Sequence, residues 1–173
     1  MAFDAYLYIE GAPGESTSKL PDSAPIAVVP IELKSYDLGV TMPAAPSRSG
    51  FSGAVTGRAS FNEFNCEKNI DLASAVLCYY CASGKHIGNI YCELYRAAGD
   101  KKVKFVSIHY KDVIITECSV KASGGDDLPS ETLKFNYGSV EFKYTQTDHA
   151  TGDATGGKTR MLWSQITNKG EKS

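Results

Sequence analysis

The stretch DDLPSETLKFNYGSVEFKYTQTD, residues 126–148, carries the most regular pattern in the chain. Its apolar side chains recur at every second position, in two runs. The runs are Leu133, Phe135, Tyr137 and then Val140, Phe142, Tyr144. Because successive side chains of a strand point to opposite faces of a sheet, this period of two predicts strands with one apolar face.

Gly138-Ser139 separates the two runs and has glycine first, which is the pattern of a two-residue type II′ turn. We therefore predict a β-hairpin whose two strands place all the apolar residues on one face. The register pairs Phe135 with Phe142. It also sets Lys134 opposite Lys143, which is an unfavourable pairing of like charges.

Period-two alternation also dominates the rest of the chain and predicts a series of short strands. They lie at about 3–9, 26–40, 58–65, 88–96, 102–110, 112–120, 131–137, 140–147 and 159–166. Many short strands with one helix favour a mainly β protein, an antiparallel β-barrel with one α-helix packed on it. The length suits a single domain, 1–173.

The helix is predicted between residues 71 and 84. Asp71 is its predicted N-cap, and Gly84 fits the left-handed position that follows a helix C-terminus. The residues expected on its buried face follow the spacing i, i+3, i+4, i+7, i+8. They are Leu72, Ala75, Val76, Tyr79 and Tyr80.

Composition argues against several classes of function. A net charge of −2 disfavours nucleic-acid binding, and no apolar run approaches the roughly 20 residues that span a bilayer. The start, MAFDAYLYIEGAPGE, has no basic segment and no sustained apolar segment, so we expect no cleavable signal peptide and a cytoplasmic origin. Five widely spaced cysteines fit a reducing compartment.

Few residues suggest chemistry. Cys78 and Cys81 form a C-x-x-C in the second half of the predicted helix, where no helix N-terminus lowers a thiol pKa and no second ligand pair completes a zinc site. We interpret both as buried core cysteines and expect no metal and no cofactor. A small hydrolase that uses His109 or His149 is an alternative, and a monomeric β-barrel binding module is another.

Tyrosines stand on the second face of two predicted strands. They are Tyr6, Tyr8, Tyr91 and Tyr95. Tyrosine is enriched at protein interfaces, so we predict that these side chains lie at contacts between subunits. The alternative, equally open from the pattern, is that loops and the helix cover them.

The segment TMPAAPSRSGFSGAVTG, residues 41–57, has two prolines, three glycines and no sustained period. A loop of this length inside a compact domain is usually functional or disordered.

Several pieces of the sequence, in order along nearly the whole chain, carry a resemblance to a known family. The pieces are MAFDAYLYIEGAPGEST, IELKSYDLGVTMP, SRSG at residue 47, GRASFNEFNCEK, ELYRAAGDK, KDVIITECSV and the opening stretch. Together they resemble the Hcp (haemolysin-coregulated protein) family, whose members form the inner tube of type VI secretion systems.

The resemblance implies a β-barrel similar to phage tail tube proteins, without catalytic residues. Its subunits are expected to form homohexameric rings that stack into a tube, are exported, and carry effectors in the ring lumen. Expected partners are the chain itself, effectors, and the spike and sheath proteins. The resemblance also implies that the long loop helps rings to stack, through Pro43, Pro46, Ser47, Arg48 and Phe51.

Overall fold

The computed structural model of the protein describes residues 3–20, 24–43, 57–98, 101–124, 127–148 and 151–173. Antiparallel strands make up most of it, and one helix interrupts them. In chain order the elements are β1 (Phe3–Ile9), β2 (Ile31–Leu33), β3 (Ser35–Asp37), β4 (Val40–Thr41), β5 (Ser60–Phe61), β6 (Phe64–Asn69), α1 (Ser74–Ser83), β7 (His86–Ala98), β8 (Lys101–Lys121), β9 (Ser130–Thr147), β10 (Ala154–Ser164) and β11 (Lys169–Lys172).

Nine of the strands form one sheet. Its main path runs β11-β10-β9-β8-β7-β1-β2, while β6 pairs with both β9 and β3; β4 and β5 form a separate pair. No strand pairing joins β2 to β6 among the described residues, so the sheet is not closed by strand pairing there. One backbone hydrogen bond links this corner to β6, from the Lys34 N–H to the carbonyl of Glu67 at 2.7 Å. The predicted class, mainly β and antiparallel with one helix, is confirmed.

The predicted hairpin is wrong, because β9 runs as one strand from Ser130 to Thr147. Phe135 pairs with Phe64 of β6 and Ile115 of β8, and not with Phe142. The two strands predicted at 102–110 and 112–120 are likewise one strand, β8. Long pairing with neighbouring strands has outweighed a local turn signal.

The like-charge pair expected from the hairpin is also absent from the register. Lys134 stands opposite Glu117 of β8, and its ammonium lies 2.5 Å from a carboxylate oxygen of that residue. The lysine thus gains an acid as its cross-strand neighbour, which is the favourable arrangement.

In both long strands, the buried apolar side chains shift from one set of alternating positions to the other. The two shifts occur where the strands lie side by side. In β8, Tyr110 and Val113 are both buried, and in β9, Tyr137 and Val140 are both buried. Tyr110 pairs with Val140 and Val113 pairs with Tyr137. The apolar runs therefore share one face, as predicted, but a joint bend of two paired strands achieves this instead of a turn.

Asp112 and Gly138 mark the bend. Asp112 has a φ of 54°, in the left-handed region that few non-glycine residues adopt. A Cβ added to Gly138 would lie 3.0 Å from the Cβ of Asp112 and 3.0 Å from Ile166 Cδ1. Glycine at this position lets the two backbones approach without moving either side chain.

Aromatic rings fill the core inside the curved sheet. Phe64 and Phe135 are fully buried and stacked, with ring centroids 4.7 Å apart, and Tyr110 meets Phe135 edge-on at 5.1 Å. Such pairs add to the free energy that area burial supplies. Strands β6, β8 and β9 are therefore joined by packing as well as by hydrogen bonds.

The helix packs on the sheet with a face that only partly matches the prediction: Tyr80 is buried and Val76 packs against the core, but Ala75 is exposed. Ser74, Leu77 and Tyr80 are buried, whereas Leu72 and Tyr79 are 64% and 67% exposed. Ser74 is polar, so apolar periodicity could not place it on the buried side. No helix in the described part of the chain is long and apolar enough to cross a membrane.

Of the two predicted helix ends, the C-terminal one is confirmed and the N-terminal one is wrong. Gly84 follows the helix in the left-handed conformation, with φ 63°, which confirms the C-terminal prediction. Asp71 is not the N-cap, because the helix begins at Ser74 with Ala73 at that position. The Asp71 carboxylate accepts the Ala73 N–H at 3.0 Å and so shapes the turn before the helix.

We expect Phe64→Ala to lower the free energy of unfolding by about 3–5 kcal/mol, because it opens a cavity among stacked rings. Phe3→Ala is the matched control: Phe3 is 53% exposed, and its loss should cost about 1 kcal/mol or less. Denaturant unfolding of both variants measures the difference. Equal losses would contradict the position of the core.

Candidate assembly surface

Three of the predicted interface tyrosines form a second buried cluster behind the main core. Tyr6, Tyr8 and Tyr95 project from β1 and β7 on the face opposite the core, and none is more than 2% exposed. Leu20 and Ile26, from the segment between β1 and β2, pack against them. The chain itself thus covers this face of the sheet.

Polar contacts hold the rim of the cluster. The Tyr6 hydroxyl donates to Ser18 Oγ at 3.0 Å and accepts from Lys102 Nζ at 2.8 Å. Lys102 also lies 2.8 Å from an Asp4 carboxylate oxygen, and the hydrogen bonds to Asp4 and Tyr6 raise the pKa of the lysine. Tyr6 meets Tyr95 edge-on, with ring centroids 5.8 Å apart.

Tyr91 differs from the other three. It is half-buried and lies flat against the His109 ring, with centroids 4.0 Å apart and an interplanar angle of 8°. Burial raises the pKa of Tyr91. Contact of the four tyrosines with another subunit stays a prediction, and Tyr91 is the member that retains exposed surface for it.

His109 is placed by packing and by an amide. Its Nε2 lies 2.8 Å from Asn89 Oδ1, and burial, followed by the charge of Lys111, lowers its pKa. A nucleophile activated by histidine has to lie within hydrogen-bond reach of it. The partners described for His109 are the Asn89 amide and the Tyr91 ring, and His149 lies outside the described residues.

Beside Tyr91, the same outward face carries paired charges. Lys104 Nζ lies 3.1 Å from Glu93 Oε1, and Glu141 accepts from both Lys143 and Arg160. Burial would raise the pKa of Glu141, but the two hydrogen bonds outweigh it and lower that pKa. These carboxylates of the outward face are therefore paired with cations of the same chain.

Strand pairing and one backbone hydrogen bond join the two ends of the long loop. Val40 pairs with Phe61, and the Gly57 N–H donates to the carbonyl of exposed Pro43 at 2.9 Å. The chain therefore leaves and re-enters the fold at one place. The other predicted stacking residues lie outside the described residues: Pro46, Ser47, Arg48 and Phe51.

A buried ion pair between β6 and β9 also contacts the first residue of the helix. Lys68 of β6 and Glu131 of β9 are both fully buried, with Nζ and Oε2 2.7 Å apart. Ser74 donates to the same oxygen at 2.6 Å, and Lys68 also contacts Asp71 at 2.7 Å. Each charge has partners, which is the condition for burying one at tolerable cost.

Two sulfur atoms border this ion pair. Cys118 Sγ lies 2.9 Å from Glu131 Oε1 and 2.7 Å from Cys78 Sγ. Cys78, Cys118 and Glu131 are the one group of three possible metal ligands among the described residues. Structural zinc normally takes four ligands, and here Lys68 already supplies a positive charge to Glu131.

The cysteine environments differ from the prediction. Cys78 and Cys81 are half-buried and not core residues, whereas Cys66 and Cys92 are buried. Burial raises the pKa of Cys66 to about 12. Burial and the hydrogen bonds to Cys78 and Glu131 raise the pKa of Cys118. Sequence spacing pointed to Cys81 as the neighbour of Cys78, and the fold supplies Cys118 from 40 residues away.

The antiparallel sheet with one helix packed on it defines a mainly β protein, and comparisons with known proteins identify its family. A family model described as "Type VI secretion system effector, Hcp" matches residues 6–144. A solved structure described as a type six secretion system protein superposes with a TM-score of 0.84 at 31% identity, over 98% of this chain and 100% of that one. The chain belongs to the Hcp family of type VI secretion.

Two further relatives support the assignment. Hcp1 from Salmonella typhimurium superposes with a TM-score of 0.74 at 25% identity, over 99% of this chain and 100% of that one. Protein hcp1 of Pseudomonas aeruginosa is 28% identical over 107 residues, which cover 62% of this chain and 65% of that relative. The match thus spans just under two thirds of the length of Protein hcp1.

We expect the Lys68–Glu131 pair to make stability depend on acid pH. Burial would raise the pKa of Glu131, but hydrogen bonds from Cys118, Lys68 and Ser74 outweigh it and hold that pKa below its ordinary value of 4.5. A carboxyl with a depressed folded-state pKa stabilises the fold above its unfolded-state value. That contribution is lost as the pH falls through the folded-state pKa, so stability should decline below pH 4.5.

Glu131→Gln should lower the free energy of unfolding by at most about 3–5 kcal/mol at neutral pH, because it removes the fully buried counter-charge of Lys68 and leaves Asp71 as the remaining carboxylate. The variant should lose less stability than the parent between neutral and acid pH. Glu67→Gln, at an exposed position of the neighbouring strand β6, is the control. Parallel pH profiles for the Glu131 variant and the parent would contradict the assignment.

Proposed function

We propose that the chain is a structural subunit of a type VI secretion tube. Six copies form a ring, rings stack, and the assembly is exported with effectors held in the ring lumen. The observation that carries the proposal is the family match over residues 6–144, together with the solved type six secretion system protein that covers 98% of the chain. Assembly precedes export and takes place in the cytoplasm.

The described surfaces suit this role. Where chain segments do not cover it, the outward face of the sheet carries Glu141 paired with Lys143 and Arg160, and such a face tolerates both water and a polar cargo. The Gly57 N–H donates to the Pro43 carbonyl, so the two ends of the proposed stacking loop lie together at one place in the fold. The partners are further copies, effectors, spike and sheath proteins.

The proposed role involves no enzymatic turnover. A ring subunit needs a defined shape and two different edges that complement each other, because a closed ring repeats one heterologous contact around its axis. The single domain, 1–173, supplies both sides of that contact. A hydrolase or a monomeric binding module would give a different result in the measurement that follows.

We expect the purified chain to have six times its monomer mass of 18.6 kDa in size-exclusion chromatography with light scattering. Tyr91→Glu should shift the ring toward monomer, since it buries a charge at a predicted contact between copies. Circular dichroism should show that the variant keeps its strands.

Tyr79→Glu is the matched control, because Tyr79 is 67% exposed on the helix. It should leave the mass at six copies. A parent that stays monomeric at high concentration would overturn the ring. A Tyr91 variant that still forms rings would remove Tyr91 from the contact and leave the ring itself standing.

We expect deletion of residues 47–53 to preserve rings and weaken stacking. The base between Pro43 and Gly57 lies outside the deletion, so the sheet should fold unchanged. Negative-stain electron microscopy of parent and variant at equal concentration counts rings against tubes. Tubes of unchanged length would contradict a stacking role for the loop.

A further inference from the structure

The contact between Cys78 and Cys118 joins two elements that are distant in sequence. Cys78 lies on α1 and Cys118 on β8, and their sulfur atoms are 2.7 Å apart. Non-bonded sulfur atoms normally keep a greater separation, and both side chains are half-buried, so small oxidants can reach them. Neither residue has a role in the proposed function.

We propose that Cys78 and Cys118 form a reversible disulfide that links α1 to strand β8 of the sheet. A disulfide bond is about 2.05 Å long, so the sulfur atoms need to move by less than about 1 Å. The C-x-x-C spacing suggests Cys81 as the partner of Cys78, but the fold brings Cys118 into contact instead.

A small disulfide such as oxidised glutathione balances the reaction. The Cys78 sulfur attacks it, the glutathione S–S bond breaks, and one glutathione leaves as a thiol that carries the Cys78 proton. Cys118 then attacks Cys78 Sγ, and the second glutathione leaves as a thiol with the Cys118 proton. Two protein thiols are oxidised, and one glutathione disulfide is reduced to two thiols.

The order of attack follows from the neighbours of each sulfur. Cys118 donates to Glu131 Oε1 at 2.9 Å, and burial together with its hydrogen bonds raises the pKa of its thiol. Because the Cys118 thiol is engaged as a donor to Glu131, we assign the first attack to Cys78. Glu131, held by Lys68 and Ser74, then accepts the Cys118 proton in the second step and passes it on.

Formation of the disulfide does not depend on the proposed function, but the stage at which it forms does. Cytosolic glutathione keeps such thiols reduced, and oxidising surroundings favour the bridge. One consequence rests on the proposed export: the bridge would close after the protein leaves the cell and would hold the helix on the wall there.

Peptide mapping of the full-length protein tests the bridge. After treatment with oxidised glutathione, denaturation and alkylation, we expect two fewer alkyl groups than the five of the reduced protein. A linked pair of peptides should contain Cys78 and Cys118. Its absence, a Cys78–Cys81 link, a link between two chains, or a bound zinc ion that leaves both thiols reduced would overturn the proposal.

Two serine variants separate the pairings. Cys81→Ser should keep the link, because Cys81 takes no part in it. Cys118→Ser should lose the link, and Cys118→Ala serves if the serine variant does not fold. Ring formation is measured on the same samples, so that failure of the bridge is distinguished from failure of the proposed assembly.

Melting with and without oxidant measures what the bridge does. A cross-link over 40 residues should raise the Tm of the parent by roughly 5–15 °C. The Cys81→Ser variant should show the same rise, and the Cys118→Ser variant none. An unchanged or lower Tm in the oxidised parent would overturn the tie between helix and wall.

Discussion

The pairing of β8 with β9 is the constraint on which the wall depends. Along one edge, β9 pairs with β6 up to Phe135, and beyond Gly138 it pairs with β10. β8 follows it on the other edge through the same bend, where Asp112 takes a left-handed conformation. Because β9 changes its neighbour, this one strand joins two parts of the sheet. The bend between those parts curves the sheet.

A second constraint fixes the helix on that wall. The buried Lys68–Glu131 pair leaves each charge satisfied only when Ser74, at the first turn of α1, reaches Glu131. Loss of any partner would leave a buried charge under-satisfied, so the pair favours one position of the helix. The contact between Cys78 and Cys118 follows from that position of the helix. Cys118 Sγ lies against Oε1 of Glu131, which is the other oxygen of the carboxylate that Ser74 reaches.

The two faces of the wall serve different purposes. Aromatic rings pack the inner face, and part of the outer face is closed over Tyr6, Tyr8 and Tyr95 by the chain's own segment. The remaining outer surface includes Glu141, which is paired with Lys143 and Arg160. Membership of the Hcp family leads us to propose that further copies and cargo meet this surface.

Alternation in the sequence determined the mainly β class and the residues of the apolar face. The quoted pieces of sequence indicated the family, and Gly84 determined where the helix ends. Tertiary structure alone decided that Gly138 lies in a bend, that Ser74 faces inward, that the tyrosines of β1 are covered, and that Cys118 meets Cys78. The alternation of apolar and polar residues indicates which side chains share a face. It does not indicate which strand or segment lies beside that face. That choice depends on contacts between residues far apart in the chain, whose free energy exceeds local turn and spacing preferences.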